Sequence, residues 1–240
     1  MLPEPHTLAF HAGLDWLETS SLEMLDQALS LNLYGRTAVV SSFGVDSAVL
    51  LHLVSRITRD APILFVDTRM MFQETLNYQL ELAREFGLKD VRQITANDVD
   101  LRRNDVFGRL HKKDTDACCD LRKTKPLEKA LEPFDAWING RKRQQSQSRS
   151  SMKPLEVDAH DRIKVNPLLH WDNEDIKAYF DLRHLPQHPM VSKGFTSIGC
   201  APCTAKPSPG SDPRSGRWQG QDKTECGIHV QDGKIIRRSA

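Results

Sequence analysis

Between residues 37 and 183 the chain alternates short β-branched or apolar runs with longer segments of helical periodicity, and nothing else in it constrains the fold as strongly. "TAVV" (37–40), "PILFVD" (62–67), "VRQIT" (91–95), "AWING" (136–140) and "RIKVNPL" (162–168) read as strands. "DSAVLLHLVSRI", "FQETLNYQLELAREFG" ending at Gly87, "TKPLEKALEPF" and "DNEDIKAYFDLR" opened by Asp172 read as helices. Strands separated by helices predict a parallel sheet covered on both faces, an α/β fold. Residues 1–35 are expected to form a helical segment, with Ser20 and Glu23 as a capping box ahead of Leu25, Ala28 and Leu29. Past about residue 186 the periodicity stops. "PSPGSDPRSGRWQGQDKTECGIH" is Pro, Gly, Ser and charge, which predicts a flexible, functional or disordered tail. The expected organisation is a helical segment (1–35), an α/β domain (36–205) and a flexible tail (206–240).

Charge and hydropathy exclude several classes. The 240 residues carry a formal net charge of +1, so no whole-molecule attraction to nucleic acid or membrane is expected. No apolar run approaches the roughly 18 residues that span a bilayer. The opening "MLPEPHTLAF" lacks a basic region followed by an apolar stretch, so a cytoplasmic location is expected. There, five cysteines serve more readily as ligands or reagents than as bridges.

"SSFGVDSAVLL" joins the first strand to its helix through Ser41, Ser42, Gly44, Asp46 and Ser47. Small residues let backbone N–H groups point at the helix N-terminus, where an anion can sit. The same residues also suit an ordinary capped β–α connection. No Gly-Lys-Ser/Thr follows, so the loop is not a Walker motif.

Four cysteines come in two pairs, Cys118–Cys119 in "DACCDLRK" and Cys200–Cys203 in "SIGCAPCT". C-x-x-C serves as a zinc half-site or, in a strand-to-helix setting, as a redox pair. Adjacent residues in an extended stretch point to opposite sides, so Cys118 and Cys119 converge poorly on one ion. A cubane presents separate irons and relaxes that demand. Thiolates suit both metals, and spacing leaves zinc and an iron–sulfur cluster open. The fifth thiol, Cys226, stands apart in "ECGIH", where it is either an idle exposed cysteine or a reagent.

Taken together these motifs carry a resemblance. Ser42-Phe43-Gly44-Val45-Asp46-Ser47 is similar to the S-x-G-x-D-S loop of the adenine-nucleotide α-hydrolase (PP-loop) superfamily. The ordered set "VDT" (66–68), "CCDLRK", "GRKRQQSQSR", "KVNPL", "SIGCAPCT", "DPRSGRW" and "ECGIH" resembles the cluster-bearing bacterial type of assimilatory adenylyl-sulfate (APS) reductase. The resemblance implies a Rossmann-like PP-loop sheet and a 4Fe–4S cluster on Cys118, Cys119, Cys200 and Cys203. It implies a nucleotide held by Ser42, Gly44, Asp46 and Ser47, with Lys123 at the reacting group and Arg214, Arg217 and His229 near the sulfate. In the basic loop 141–151, which also carries Lys142, the stretch from Arg143 to Arg149 would close over the nucleotide; alone, such a basic run is as well read as solvated surface.

The tail then gains a role. Cys226 would attack the sulfur of APS, AMP would leave, and an external thioredoxin (or glutaredoxin) would release sulfite from the S-sulfonate. A thiol on a glycine-containing tail can first close on a nucleotide and later face a protein partner. The short stretch after Cys226 holds no fused glutaredoxin-like domain, so the reductant is expected from outside; self-association is left open. The same chemistry on 3′-phospho-APS (PAPS) is the alternative, ahead of a tRNA-thiolating PP-loop enzyme or a zinc-stabilised binding module. One departure stands out: the chain reads Asp67-Thr68-Arg69 where family members tend to read Asp-Thr-Gly, which leaves a long cation either near the expected ribose or pointing to solvent.

Overall fold

The computed structural model describes residues 5–145, 149–219 and 223. Its strands are β1 Thr37–Ser41, β2 Ile63–Val66, β3 Val91–Ile94, β4 Ala136–Asn139, β5 Leu155–Val157 and β6 Ile163–Val165. Among the described residues they form one sheet in the order β3-β2-β1-β4-β6-β5. Every pairing is parallel except β5 with β6. The longer helices are α1 Pro5–Leu29, α2 Ser47–Ile57, α3 Gln73–Glu85 and α8 Asn173–Arg183. Shorter ones are α4 Asp98–Asn104, α5 Leu110–Lys113, α6 Thr115–Cys119, α7 Lys125–Leu131 and α9 Pro189–Ser192.

The α/β architecture expected from the alternation is the one observed. β2 and β4 are buried at every position, as strands covered on both faces must be. Alternate residues feed two cores. Val39, Ile63, Phe65 and Ile138 face the larger one with α2, α8 and part of α1; Ala38, Leu64, Val66 and Trp137 face α7. β5 has no counterpart in the periodicity, being a three-residue edge strand exposed on alternate residues.

One local expectation fails. Ser20 does not cap a helix, because α1 runs unbroken from Pro5 to Leu29 and places Ser20 in its interior. The neighbouring Ser21 is buried instead: its hydroxyl donates to the Pro167 carbonyl (2.8 Å) and accepts from Trp171 Nε1 (2.9 Å). Asp172 does cap α8 as expected, in a reciprocal capping box with Asp175. No described helix is long and apolar enough to cross a membrane.

The topology positions the site. β2 lies on one side of β1 and β4 on the other, so the strand order reverses between β1 and β4. Loops leaving the carboxyl ends of those two strands diverge and open a crevice, the usual place for a ligand on an open parallel sheet.

Candidate active site

A cavity of about 250 Å³ fills that crevice. Val40 to Ser42 and Gly44 to Ser47 line it from the β1–α2 connection, and Asn139, Gly140 and Arg141 from the end of β4. The loop is shaped by its own bonds. Phe43 takes positive φ (+48°) and packs edge-on against Phe65, while its N–H donates to Ser41 Oγ at 3.2 Å. That turn brings Gly44 and the amides opening α2 to the cavity wall. Asp46 precedes α2 but makes no side-chain capping bond. Its carboxylate accepts from Lys142 Nζ at 2.8 Å, and the same ammonium reaches Asn173 Oδ1 at 3.0 Å. Lys142 is only 1% exposed, so this pair ties the first loop to the end of β4 and the start of α8.

Cations gather on one side. Lys123, Arg141, Arg149, Arg214 and Arg217 all line the cavity. Arg141 is held by Asn139 Oδ1 (3.1 Å) and Glu156 Oε2 (2.7 Å), and Asn139 is braced by Asn166 (2.8 Å). Arginine held at fixed orientation suits an oxyanion, because its planar fork offers paired N–H donors.

A second, smaller cavity lies beside the first, lined by Cys118, Cys119, Cys200 and Cys203 together with Thr68, His111, Thr115 and Arg122. Two segments remote in sequence deliver the thiols. Asp114 Oδ1 caps α6 by accepting from Ala117 N–H (2.8 Å), which fixes the helix carrying Cys118 and Cys119. The cysteine pair is therefore helical, not extended, and its side chains diverge by about 100° where a strand would turn them to opposite sides. A π-helical turn, Asp120–Thr124, follows directly and carries Arg122 and Lys123. Cys200 is brought across by an antiparallel bridge to Met71 and by the bond from Ala201 N–H to the Met70 carbonyl (2.7 Å).

Charges around the thiols are arranged. Buried Arg122 holds Asp105 in a two-armed pair (2.7 and 3.2 Å) and donates to the Thr68 carbonyl (3.0 Å), while Thr68 Oγ1 lies 3.2 Å from Cys200 Sγ. Burial pushes the Cys118 thiol up to about 11 against the pull of Arg122, and Cys200 and Cys203 add to the rise. Burial and Cys200 likewise raise Cys203, against Arg217, Lys223 and Lys123. Left to themselves these thiols hold their protons; a bound cationic centre is what would ionise them. Among the described residues no three Cys, His, Asp or Glu side chains converge as one metal ion requires. Four thiols around one cavity offer an all-thiolate donor set, which suits a zinc ion or an iron–sulfur cluster.

The two cavities share a wall. Lys123, Arg217 and Trp218 line both. Arg217 donates to the Ile198 carbonyl (3.1 Å) and lies 4.5 Å over the Trp218 ring, whose own backbone N–H donates to the Cys203 carbonyl (3.1 Å).

Residues 36–206 match the family model of the phosphoadenosine phosphosulfate reductase domain. A Mesorhizobium japonicum protein named adenosine 5′-phosphosulfate reductase is 45% identical over 221 residues, spanning 91% of this chain and 87% of its own. The chain belongs to this reductase family. A phosphoadenosine 5′-phosphosulfate reductase from Gloeobacter violaceus is 35% identical over 92% of each chain, so relatives carry both names. Among solved structures, the Candida auris phosphoadenylyl-sulfate reductase superposes with a TM-score of 0.66 at 22% identity, covering 85% of this chain and all but 2% of its own. The FMN adenylyltransferase of Candida glabrata superposes at 0.60 and 18%, covering 84% of this chain and 68% of its own. At those identities the two likenesses speak for the fold alone.

Within this reductase fold, Ser42, Gly44, Asp46, Ser47, Lys123, Arg149, Arg214 and Arg217 come together around the larger cavity, and the four paired cysteines around the smaller. Arg143 does not join them; its Nη2 donates to the Met152 carbonyl at 2.9 Å. Cys226 and His229 lie outside the described residues. Arg141, Asn139, Asn173 and Trp218 were not singled out by the sequence. Arg141 and Asn139 had a usable signal, since both sit where a parallel strand ends. Arg69 does not line the larger cavity: it pairs with Asp98 on the surface.

Proposed function

We propose that the chain reduces adenosine 5′-phosphosulfate to sulfite and AMP, with Cys226 as nucleophile and a thioredoxin-type dithiol as reductant. The observation that carries this reading is the wall of Lys123, Arg217 and Trp218 shared by a cation-lined crevice and a four-cysteine cavity. A nucleotide seated with its phosphate on the α2 N-terminus would direct its sulfate toward those cations.

Cys118, Cys119, Cys200 and Cys203 would hold a 4Fe–4S cluster, which when bound supplies fixed charge beside the substrate. Arg141 and Arg149 would orient the anhydride, and Lys142 would keep Asp46 and the β1–α2 loop in register. Arg214 and Arg217 would favour the thiolate of Cys226 once the tail is seated. That thiolate attacks sulfur, the S–O bond to AMP breaks, and Cys226 keeps the SO3 unit. A thiolate of the dithiol carrier then attacks Cys226 Sγ and sulfite leaves with the electron pair. The carrier's second thiol resolves the mixed disulfide, so its two electrons take the sulfur from sulfate to sulfite level. Reduced dithiol carriers of this kind belong to the cytoplasm.

The Gloeobacter relative's name supports a second reading, the same reaction on the 3′-phosphorylated nucleotide; relative turnover on the two substrates decides between them. The mechanism is tested by mass spectrometry of the protein mixed with APS alone. A sulfonate on Cys226 is expected, absent from Cys226→Ser, which still binds nucleotide and forms no sulfite. Sulfite released on adding carrier, from protein whose Cys226 stays unmodified, would overturn it.

A further inference from the structure

Three buried side-chain nitrogens among the described residues lack a hydrogen-bond partner: His111 Nδ1, Arg143 Nε and Arg217 Nε. Two of them belong to residues lining the four-cysteine cavity, His111 from α5 and Arg217 from the segment after the C-x-x-C loop. An unsatisfied buried donor costs more than an ordinary hydrogen bond returns, so such groups are rare without a reason. Two around one cavity point to an acceptor that belongs inside it. Neighbouring polar groups are matched: Thr68 Oγ1 with Cys200, Arg122 with Asp105 and the Thr68 carbonyl. The His111 backbone is also placed, its carbonyl accepting from Thr115 Oγ1 at 3.1 Å. On α5 it is the His111 ring Nδ1 that is left over.

We propose that His111 donates a hydrogen bond from Nδ1–H to a sulfur of the centre held by the four cysteines, and thereby sets that centre's reduction potential. The proposal rests on the cluster reading above. Thiolate and sulfide sulfurs are acceptors, and hydrogen bonds to them are among the levers that fix a cluster's potential. A neutral imidazole carries one N–H, so this assignment puts the proton on Nδ1. His111 acts through the cluster and is a tuning residue, outside the bond-making steps.

The test compares anaerobically purified wild type with His111→Phe, which keeps a ring and loses the donor, and His111→Asn, which restores an N–H near the δ position. Iron and sulfide content are measured first, then the midpoint potential by spectroelectrochemistry. With iron unchanged, the Phe variant is expected to lower the reduced-to-oxidised ratio about tenfold at a fixed applied potential, a one-electron shift of about 59 mV. The Asn variant is expected to recover most of that shift. A Phe variant with full iron and wild-type potential overturns the proposal and leaves the cluster reading intact. Should the Phe variant lose its iron, the deciding measurement is pulsed EPR on reduced wild type labelled with ¹⁵N-histidine. Coupling to a histidine nitrogen supports the hydrogen bond, and its absence refutes it. Iron-free wild type would instead remove the cluster reading, and this proposal with it.

Discussion

Arg69 occupies backbone that glycine adopts more readily, with φ at +57°. Left-handed backbone costs a non-glycine residue about 1–2 kcal/mol. Opposing that strain are the exposed pair with Asp98, about 0–1 kcal/mol, and the roughly 0.5–1 kcal/mol of chain entropy that glycine would add to the unfolded state. These nearly cancel. Arg69→Gly is therefore expected to shift unfolding free energy by no more than about 1 kcal/mol, and to leave turnover on APS and on its 3′-phosphorylated analogue unchanged. A changed ratio between the two substrates would show that Arg69 reaches the ribose after all. Gly199 makes the opposite case. A Cβ there would meet Arg217 Nη2 at 2.2 Å and its guanidinium carbon at 2.5 Å. The colliding group is the far end of a long side chain, so it can yield without unfolding the protein, but it must leave the shared wall. Gly199→Ala is expected to lower kcat/KM roughly 10²-fold, the scale of losing one oriented donor to a developing anion, with the denaturant midpoint little changed. The run "GRKRQQSQSR" shows where the sequence stops being legible at this scale. Arg141 lines the larger cavity while Arg143, two residues on, donates to the Met152 carbonyl. Composition cannot separate them; the short 3₁₀ turn Arg143–Gln145 after β4 does.

His188 joins two elements. It caps α9 by accepting from Met190 N–H at Nδ1 (3.1 Å), and its Nε2 lies 3.0 Å from Thr75 Oγ1 on α3. With Nδ1 accepting, the ring proton sits on Nε2 and donates to Thr75. Burial drives the ring's pKa down from 6.5 to about 4, with Glu74 working weakly the other way. A histidine depressed in the fold binds fewer protons there than in the unfolded chain, so stability rises with pH between the two values. The His188 contribution is full above about pH 6.5 and is lost as pH falls toward about 4. Thermal unfolding followed between those limits should fall more steeply for wild type than for His188→Gln; parallel curves would refute the assignment. Elements long enough to show a period were legible: β1 to β4, α2, α3 and α8 all appear where strand or helix spacing places them. α7 was also read, from "TKPLEKALEPF", but α4, α5 and α6, at 4–7 residues, show too little of a period. Their positions are set from outside, by Asn97 and Asp114 capping and by the buried Asp105–Arg122 pair.

Across the whole molecule, the four-cysteine cavity is tied to the larger, cation-lined one by backbone as well as by side chains. Thr204 bridges to Arg217, Ala205 N–H donates to the Gly216 carbonyl (2.8 Å), and Trp218 N–H donates to the Cys203 carbonyl (3.1 Å). Lys223 pairs with Asp116 on the helix that carries the other two cysteines. The two cysteine segments are far apart in sequence, yet each is anchored at the carboxyl end of the sheet. Sequence motifs supplied both sets of candidate residues, and the structure brings the two sets together through the bridge between Met71 and Cys200 and the return of the chain through Arg217. Without a metal centre the wall has at its back four cysteines of which buried Cys118 and half-buried Cys203 resist ionisation, and little but the bonds just named to hold it. Removing iron should therefore do more than take fixed charge away from beside the substrate. Anaerobic chelation is expected to weaken AMP binding about tenfold, the equivalent of about 1.4 kcal/mol lost from the Arg217 side of the crevice, and to lower the urea midpoint without changing the slope. Nucleotide affinity can be followed by titration calorimetry on holo and iron-free protein at matched ionic strength. Equal affinities would mean that Arg217 is held by Ile198 and Trp218 alone, and that the two cavities are neighbours without being coupled.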